Sequence, residues 1–377
     1  MSKTLQDYAT LINDTIQSNE INHYITTDNM CQNLGGIDTF KSINIPQGKV
    51  RSFQKDDVLL SNIRLYFRKV YRAKQKGGCS SDVLVFRAKH IDSATLFAIL
   101  SSQIFTDYAC SGSQGSKMPR GNKTHMMDFK IPTINFIIAK IFNSIQNKIE
   151  NNHKINELLH KILELLYEQY FVRFDFLDEN NKPYQTSGGK MKFSKELNRL
   201  IPSGWSVRFL NHKIVSTYQP KTISKTLLND SYSYSVYGGG GIIGRFTEYN
   251  HEQSEFIISC RGQCGISYLT LPKSWITGNA MVIRPTKSYT SKTYLYHTIK
   301  KYKLTNYITG SVQPQITRQN LSTMPILIPK RKTLNKWNNI SSLLWNLIHN
   351  NMQSTQTLTA LRDFLLPLLL KQQVKPK

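Results

Sequence analysis

The chain has 377 residues, of which 40% are hydrophobic and 11% aromatic, and it carries a formal net charge of +25 at pH 7. This composition is sufficient for buried cores and excludes a fully disordered chain, and the length favours two domains. No apolar run reaches the roughly 20 residues of a membrane span, and the first residues lack the pattern of a secretory leader. We therefore expect no membrane partner and a cytoplasmic location.

Residues 1 to 132 are predicted to form an α+β domain. The runs at 58–67 and 82–88 are rich in β-branched and aromatic residues, as strands are, and the run at 86–108 has helical spacing. The loop from 111 to 125 then supplies side chains that can hydrogen-bond to bases or phosphates. The candidate nucleic-acid contacts of this half are Arg64, Arg68, Lys69, Gln114, Lys117, Arg120, Asn122 and Lys123.

Residues 133 to 172 are predicted to form one long helix. From Ile134 onward apolar residues recur in alternating steps of four and three, which is the spacing of a coiled-coil seam. Acidic and basic residues balance in this segment, so it adds nothing to the net charge. A helix of about 38 residues would extend roughly 57 Å. The predicted seam consists of Ile138, Ile141, Ile145, Asn152, Ile155, Leu159, Ile162 and Leu166.

Residues 173 to 329 are predicted to contain a second α+β domain, with its globular part from about residue 200. Strand-like runs at 255–260 and 279–285 precede a helical run at 292–307, and the segment carries a net charge of +12. A loop from 309 to 320 again offers amide and guanidinium groups. The candidate contacts here are Tyr237, Arg245, Arg261, Gln313, Gln315, Arg318, Gln319 and Asn320.

Residues 330 to 377 are predicted to form a second long helix and a basic tail, with Pro367 in the last turns of the helix. Two helices with apolar stripes would expose large surfaces unless they paired, so we predict an antiparallel coiled coil that holds the two domains apart. The alternative is that each helix packs on its own domain. The second seam is predicted at Ile340, Leu344, Leu347, Asn351, Leu358, Leu361 and Leu365.

An internal repeat at an offset near 199 relates the two halves of the chain. The segment YACSGSQGSKMPRGNKTHMMDFKIP at 108–132 aligns with YITGSVQPQITRQNLSTMPILIP at 307–329, with Arg120 near Arg318. The run at 57–64 likewise aligns with that at 255–262. We therefore predict two similar twisted-sheet domains related by a pseudo-two-fold axis.

No motif predicts catalysis or metal binding in this chain. Among the five cysteines only Cys260 and Cys264 are close in sequence, and no second pair stands nearby to complete a zinc site. The sequence Asn181-Lys182-Pro183-Tyr184 lacks the double-proline pattern of an amino-methyltransferase loop, and the glycine run 238–241 is not followed by the Lys and Ser or Thr of a phosphate-binding loop. We expect no active site, no cofactor and no metal site.

The order of these parts resembles the specificity subunit of type I restriction-modification systems over essentially the whole chain. The resemblance rests on TGSVQPQITRQNLSTMPILIP before the second long helix, on its counterpart before the first, and on IPSGWSVRFL at 201–210. It implies two target recognition domains, each reading one half of a bipartite site in double-stranded DNA. It further implies that the two helices set the unread gap and dock the methyltransferase subunits.

The resemblance also implies which partners carry out the chemistry. Two modification subunits would transfer a methyl group from S-adenosylmethionine to adenine, and restriction subunits would use ATP and Mg²⁺ to translocate and cut DNA. The chain itself would be non-catalytic. An alternative is a stand-alone basic, two-headed nucleic-acid-binding or adaptor protein that has no methyltransferase partner.

Overall fold

The computed structural model describes residues 3 to 38, 43 to 131, 134 to 229, 232 to 262, 264 to 310 and 313 to 369. The chain divides into two compact units, the first made of Met1–Ile155 with Asn351–Lys377 and the second of Asn156–Asn350. Each unit therefore joins a globular part to one end of both long helices. The predicted boundary at residues 132 and 133 lies outside the described residues.

The globular part of the first unit contains two four-stranded sheets. One has the strand order β1-β8-β5-β6 and is antiparallel, and the other has the order β2-β4-β7-β3 with β3 parallel to β7. The strands are β1 Ala9–Ile12, β2 Thr15–Gln17, β3 Tyr24–Ile25, β4 Lys49–Phe53, β5 Val58–Ser61, β6 Val70–Arg72, β7 Gly77–Cys79 and β8 Val83–Ala88. The short helices are α1 Leu5–Tyr8, α2 Ser93–Leu100, α3 Gln103–Ser111 and α4 Lys123–Met127.

The helical run predicted at 86–108 is a strand end followed by two helices. The Asp92 side chain accepts a hydrogen bond from the Thr95 amide and starts α2, and Ser102 accepts one from the Phe105 amide and starts α3. Because these caps interrupt the run twice, the apolar residues of both helices pack into one core with Phe86 of the sheet. The helical prediction was therefore wrong before residue 93.

The second unit repeats this plan with added hairpins. Its main antiparallel sheet has the order β12-β18-β15-β16. This order matches that of the sheet β1-β8-β5-β6 in the first unit, strand for strand. The strands are β9 Met191–Ser194, β10 Arg199–Pro202, β11 Ser206–Phe209, β12 Val215–Tyr218, β13 Tyr234–Gly238, β14 Gly241–Phe246, β15 Phe256–Ser259, β16 Ser267–Leu269, β17 Trp275–Ile276, β18 Ala280–Pro285, β19 Ile308–Thr309, β20 Gln315–Ile316 and β21 Pro325–Ile328. The helices are α6 Lys292–Lys301 and α7 Arg318–Ser322.

The same acid–arginine pair braces the main sheet in both units. In the first unit Arg87 of β8 donates to the Asp57 carboxylate with both N···O distances at 2.8 Å. In the second unit Arg284 of β18 donates to Glu255 at 3.0 and 2.6 Å. Both carboxylates are buried just before the central strand. Equal strand order and equal pairing confirm the internal repeat.

The two long helices are α5 Phe136–Tyr167, which ends in a π-helical turn at Glu168–Val172, and α8 Arg331–Leu369. Within the first unit Asn152 of α5 donates to Thr355 of α8 at 3.2 Å. Within the second unit Asn156 donates to the Ile348 carbonyl at 3.2 Å, and the Tyr167 ring lies 5.9 Å from that of Trp337. Since positions rise along α5 while they fall along α8, the helices pack antiparallel in each unit, as predicted.

The buried face of the helix pair differs from the predicted seam at every second step. Ile138, Ile145 and Asn152 are buried, and Leu159, Leu166, Leu344, Asn351, Leu358 and Leu365 are half-buried. The positions between them are shifted by one residue, to Phe142, Ile149 and Leu163 in α5 and to Ser341, Ile348 and Arg362 in α8. The remaining predicted seam residues are mostly exposed and lie outside the seam: Ile141, Ile155, Ile162, Ile340, Leu347 and Leu361.

Candidate nucleic-acid interface

A tight loop at the end of the main sheet presents most of the predicted contacts of the first unit. The main chains of Gln114 and Arg120 exchange hydrogen bonds of 2.9 and 2.8 Å, which closes the loop between them. The Gly121 amide donates to the Asn62 carbonyl at 3.2 Å and anchors the loop beside the end of β5. The side chains of Gln114, Lys117 and Arg120 are exposed on this loop.

Arg64 joins the same loop from the other side. Its backbone is left-handed, with φ of 50°, and its amide donates to the Pro119 carbonyl at 2.9 Å. Its guanidinium lies 3.4 Å from the Lys117 carbonyl and 5.9 Å from the Phe67 ring. Three basic side chains, those of Arg64, Lys117 and Arg120, therefore belong to one surface, which we call the first loop surface together with Gln114.

The residues that follow this loop start helix α4. The Asn122 side chain accepts a hydrogen bond from the His125 amide at 3.1 Å and caps the helix, while Lys123 is its first residue and is exposed. A capped helix start fixes the direction of Lys123 relative to the loop. Asn122 thus has a structural role in the described contacts, and Lys123 extends the basic surface.

Two predicted contacts of the first unit point into the protein. The Arg68 guanidinium donates to the Ser101 carbonyl at 2.9 Å, and burial lowers the pKa of Arg68. The Lys69 ammonium donates to the Thr27 carbonyl at 2.6 Å. Both cations therefore satisfy main-chain carbonyls, and neither lies on the first loop surface.

The second unit has an equivalent surface. The backbone of Arg261, at the end of β15, bridges to that of Gln315, and the Ile316 amide donates to the Cys260 carbonyl at 3.0 Å. An open cleft is lined by Arg261, Gly262, Gln313, Pro314 and Gln315. We call these five residues the second loop surface. Its two glutamine amides and one guanidinium are exposed.

The helix starts show which residues of the two loops correspond. Thr317 caps α7 by accepting from the Asn320 amide at 3.1 Å, as Asn122 caps α4. Arg318, the first residue of α7, therefore corresponds to Lys123, the first residue of α4. Gln315 corresponds to Arg120, because the backbone of each bridges to the segment just after the equivalent strand, β15 or β5. The sequence alignment, which placed Arg120 opposite Arg318, was therefore displaced by three residues.

The other predicted contacts of the second unit divide in the same way. Arg318 and Gln319 are exposed at the start of α7. In contrast, the side-chain amide of Asn320 donates to the Tyr307 carbonyl at 3.1 Å inside the loop. Tyr237 is buried, its hydroxyl accepts from the Leu271 amide at 3.0 Å, and burial raises its pKa to about 12.

Arg245 has a structural role in its own hairpin. Its guanidinium donates to the main-chain carbonyls of Tyr232 and Ser233. Those two carbonyls belong to the segment that leads into β13, so the side chain ties the two ends of the hairpin together. Arg245 therefore does not reach the second loop surface in the described contacts.

Within the described ranges no group of three or more His, Cys, Asp or Glu residues could hold a metal ion. All five cysteines are free thiols, and burial raises the pKa of Cys79 to about 12. No helix in the part of the chain that the structure describes is long and apolar enough to cross a membrane.

An apolar face on the helix pair was missed by the sequence analysis. In the second unit α5 exposes Leu158, Ile162 and Leu165, and α8 exposes Ile340, Leu343 and Leu347. Each stripe contains residues that precede a seam residue by one position, such as Ile162 before Leu163, and so lies about 100° from the seam. Equal rotation about two antiparallel axes puts both stripes on the same side of the pair. The first unit has the equivalent residues Ile141, Leu361 and Phe364.

Residues 202–361 match the family model described as the type I restriction modification DNA specificity domain. The type I restriction enzyme MjaIX specificity subunit of Methanocaldococcus jannaschii is 22% identical over 312 residues, which are 73% of this chain and 67% of that protein. The crystal structure of a type I restriction-modification system S subunit from M. genitalium superposes with a TM-score of 0.63 at 14% identity and covers 98% of this chain and 96% of that chain. This last similarity extends the shared fold to the first unit.

Proposed function

We propose that the chain is a specificity subunit of a type I restriction-modification system and that its two units each read one half of a bipartite site in double-stranded DNA. As a specificity subunit it is the non-catalytic component of its complex. The observation that carries the proposal is the pair of equivalent loop surfaces. Each lies at the end of the equivalent strand, β5 or β15, in the main sheet of its unit.

The side chains of the two loop surfaces suit base reading. Arginine and lysine bind the acceptor edge of guanine, and glutamine binds the donor and acceptor edge of adenine, in the major groove. Gln114 and Arg120 in the first unit and Gln315 and Arg261 in the second hold these groups in exposed positions, and the Arg120 guanidinium also pairs with the Asp82 carboxylate at 2.9 Å. The charge of +25 provides the attraction to phosphates that any sequence offers, so we expect affinity to fall with salt.

Binding to duplexes randomised in one half-site tests the division of labour. We expect Arg120→Ala to relax specificity only in the half read by the first unit, by about 1–3 kcal/mol at the contacted base pair. Gln315→Ala should relax only the other half. Lys154→Ala, which removes one exposed charge on α5 outside both surfaces, is the matched control. Equal loss in both halves for either variant would contradict the proposal.

We infer that the apolar faces of the helix pair dock two methyltransferase subunits, one on each unit. Exposed leucine and isoleucine stripes on helices mark interaction surfaces, and the neutral charge of residues 133 to 172 keeps this surface apart from the basic DNA-binding parts. The methyltransferase subunits would supply S-adenosylmethionine chemistry, and restriction subunits would supply ATP- and Mg²⁺-dependent translocation and cleavage.

Native mass spectrometry of the chain co-expressed with a type I methyltransferase subunit tests this docking. Leu158→Lys combined with Leu343→Lys should reduce the bound copies from two to one, since it charges the face of the second unit alone. Leu361→Lys should remove the other copy. Two copies bound to either variant would contradict the docking, and no copy bound to the wild-type chain would favour the stand-alone alternative.

A further inference from the structure

Two neighbouring isoleucines of strand β14 are both exposed. Ile242 is 47% and Ile243 38% exposed, although successive side chains of a strand point to opposite faces and one of them is normally covered. β14 is an edge strand, since its sheet has the order β14-β13-β17. The pairing register shifts here, since Tyr237 pairs with Ile242 and Val236 with Gly244, so Ile243 is the extra residue of a β-bulge and the alternation of faces is interrupted.

Glycines of both strands form the end of this hairpin. Gly238 pairs with Gly241 at the end of the hairpin, and a Cβ on Gly238 would lie 3.0 Å from the Ile243 side chain. Because Gly238 has no side chain, the Ile243 side chain occupies the space that a side chain at this position would need. Gly241 has φ of +103°, a conformation that favours glycine, so the hairpin end depends on these residues.

The hairpin end adjoins the second loop surface. A Cβ on Gly239 would lie 3.2 Å from the Arg261 carbonyl oxygen, and Arg261 bridges to Gln315. Gly239 thus lies against the second loop surface, and Ile242 and Ile243 follow it by three and four residues in the sequence. They lie on the same part of the second unit as its exposed guanidinium and glutamine amides.

Charge and chemistry decide which partner covers these isoleucines. Residues 173 to 329 carry a net charge of +12, which favours DNA over another basic surface. A two-stranded β-ribbon fits the major groove, where the only apolar group of the base edges is the C5-methyl of thymine. We propose that Ile242 and Ile243 contact thymine methyl groups in the half-site read by the second unit.

This contact would distinguish the two half-sites. Among the described strand residues of the first unit, none is a large apolar side chain that is more than a third exposed. The strands of the first unit thus offer no such apolar reader, whereas β14 of the second unit offers two; the exposed apolar residue near the first loop surface, Met118, lies in the loop and not on a strand. The inference rests on the proposed function, because it assigns a base class to a half-site that must first exist.

Deoxyuridine substitution tests the inference, since it removes only the thymine methyl and keeps the base pair. The half-sites are first defined by methylation sequencing, and binding of the full chain to duplexes is then measured by fluorescence anisotropy. Replacing a contacted thymine of the second half by deoxyuridine should weaken wild-type binding about fourfold per methyl lost. The Ile242→Ser and Ile243→Ser double variant should bind thymine and deoxyuridine duplexes equally.

Three controls make the result specific. Ile242→Val with Ile243→Val should retain most of the thymine preference, Leu200→Ser removes an equally exposed apolar side chain elsewhere in the second unit, and deoxyuridine in the first half should affect wild type and variant alike. A second half without thymine, or an equal response of wild type and double serine variant, overturns the inference alone. A wild-type chain with no sequence-specific duplex binding overturns the proposed function as well.

Discussion

The main sheets of the two units have the same strand order, but the two long helices make different contacts inside each unit. In the first unit the contact between the helices includes buried polar groups beside an apolar cluster: Arg362 donates to the Gln146 side chain at 3.1 Å, and Asn152 donates to Thr355 at 3.2 Å. In the second unit it is aromatic, with the His160 ring 5.0 Å from that of Trp345 and the Phe171 ring 5.5 Å from that of Trp337.

The difference shows which features the fold requires and which it leaves free. Strand order and the acid–arginine pair are the same in both units, so the sheet tolerates little change. The helix pair needs only a continuous buried face, which either polar contacts or rings can supply. Polar contacts fix the register because an unpaired buried group costs free energy, whereas rings provide more burial.

Acid should separate the units most strongly. Burial lowers the pKa of His297 to about 3 and that of His349 to about 4, and both lie in the second unit. Protonation therefore favours the unfolded state, whose histidines titrate near 6.5. Stability is unaffected above that pH and falls below it, until about pH 4 for His349 and pH 3 for His297. At pH 5 the loss is about 2 kcal/mol for each histidine.

Tryptophan fluorescence measures this loss in the second unit alone, because Trp205, Trp275, Trp337 and Trp345 all belong to it. The urea midpoint of the fluorescence change should fall between pH 7.5 and 5. Substituting both histidines by glutamine should remove most of the pH dependence. A midpoint that does not change with pH in the wild-type chain would refute the prediction.

The shared acid–arginine pair should be worth more in the first unit. Asp57 accepts from Arg87 through both of its oxygens and from the Gln54 amide at 2.7 Å, whereas only one oxygen of Glu255 accepts from Arg284. We expect Asp57→Asn to cost about 3 kcal/mol and Glu255→Gln about 1 kcal/mol. Hydrogen exchange of the amides in β5 and β15 measures both. An equal cost would show that geometry does not distinguish the two positions.

The polar packing of the first unit should be sensitive to Arg362. Arg362→Ala leaves the Gln146 side-chain oxygen without its buried donor and should cost about 2 kcal/mol. Arg362→Met keeps the aliphatic volume and should cost about half as much, since burying an ion is itself unfavourable. Exchange rates of amides near Asn152 report the effect, and a larger loss for methionine than for alanine would argue against this account.

The smallest effect is expected at the surface of the second unit. Lys300 of α6 lies 2.5 Å from Glu164 of α5, but both side chains are about half exposed. Solvent and salt screen such pairs, so Lys300→Ala should change stability by less than about 0.5 kcal/mol. If Lys300→Ala shifted the urea midpoint as much as acidification to pH 5 does, exposed ion pairs would stabilise this unit more than the aromatic contacts do.

The sequence predicted the repeat, whereas the predicted helix seam differs in part from the buried face of the helices. Ile138, Ile145 and Asn152 recur every seven residues and are buried. Ile141 and Ile162 were misplaced because α5 carries a second apolar stripe, and periodicity alone does not reveal which stripe meets the partner helix. The two stripes differ only in which one finds a partner within the folded unit.

The structure places the predicted contact residues in two different settings. Exposed Gln114, Lys117 and Arg120 follow from the polar loop, whereas Arg68 and Tyr237 have ordinary binding chemistry and are used internally. Composition cannot separate these cases, because the carbonyl of Ser101 or the amide of Leu271 becomes a partner only after folding. Ile242 and Ile243 gave no signal, since two adjacent isoleucines in a strand normally include one core residue.

Lengthening both helices and sequencing the methylated sites tests the central claim, that paired helices set the distance between two independent DNA readers. Seven residues inserted after Ile155 and seven after Asn350, the limits of the two units, preserve the heptad spacing and add about 10 Å of helix. With the methyltransferase partner present, we predict the same two half-sequences separated by a longer gap. Methylation of the same half-sequences at the original spacing would contradict the claim.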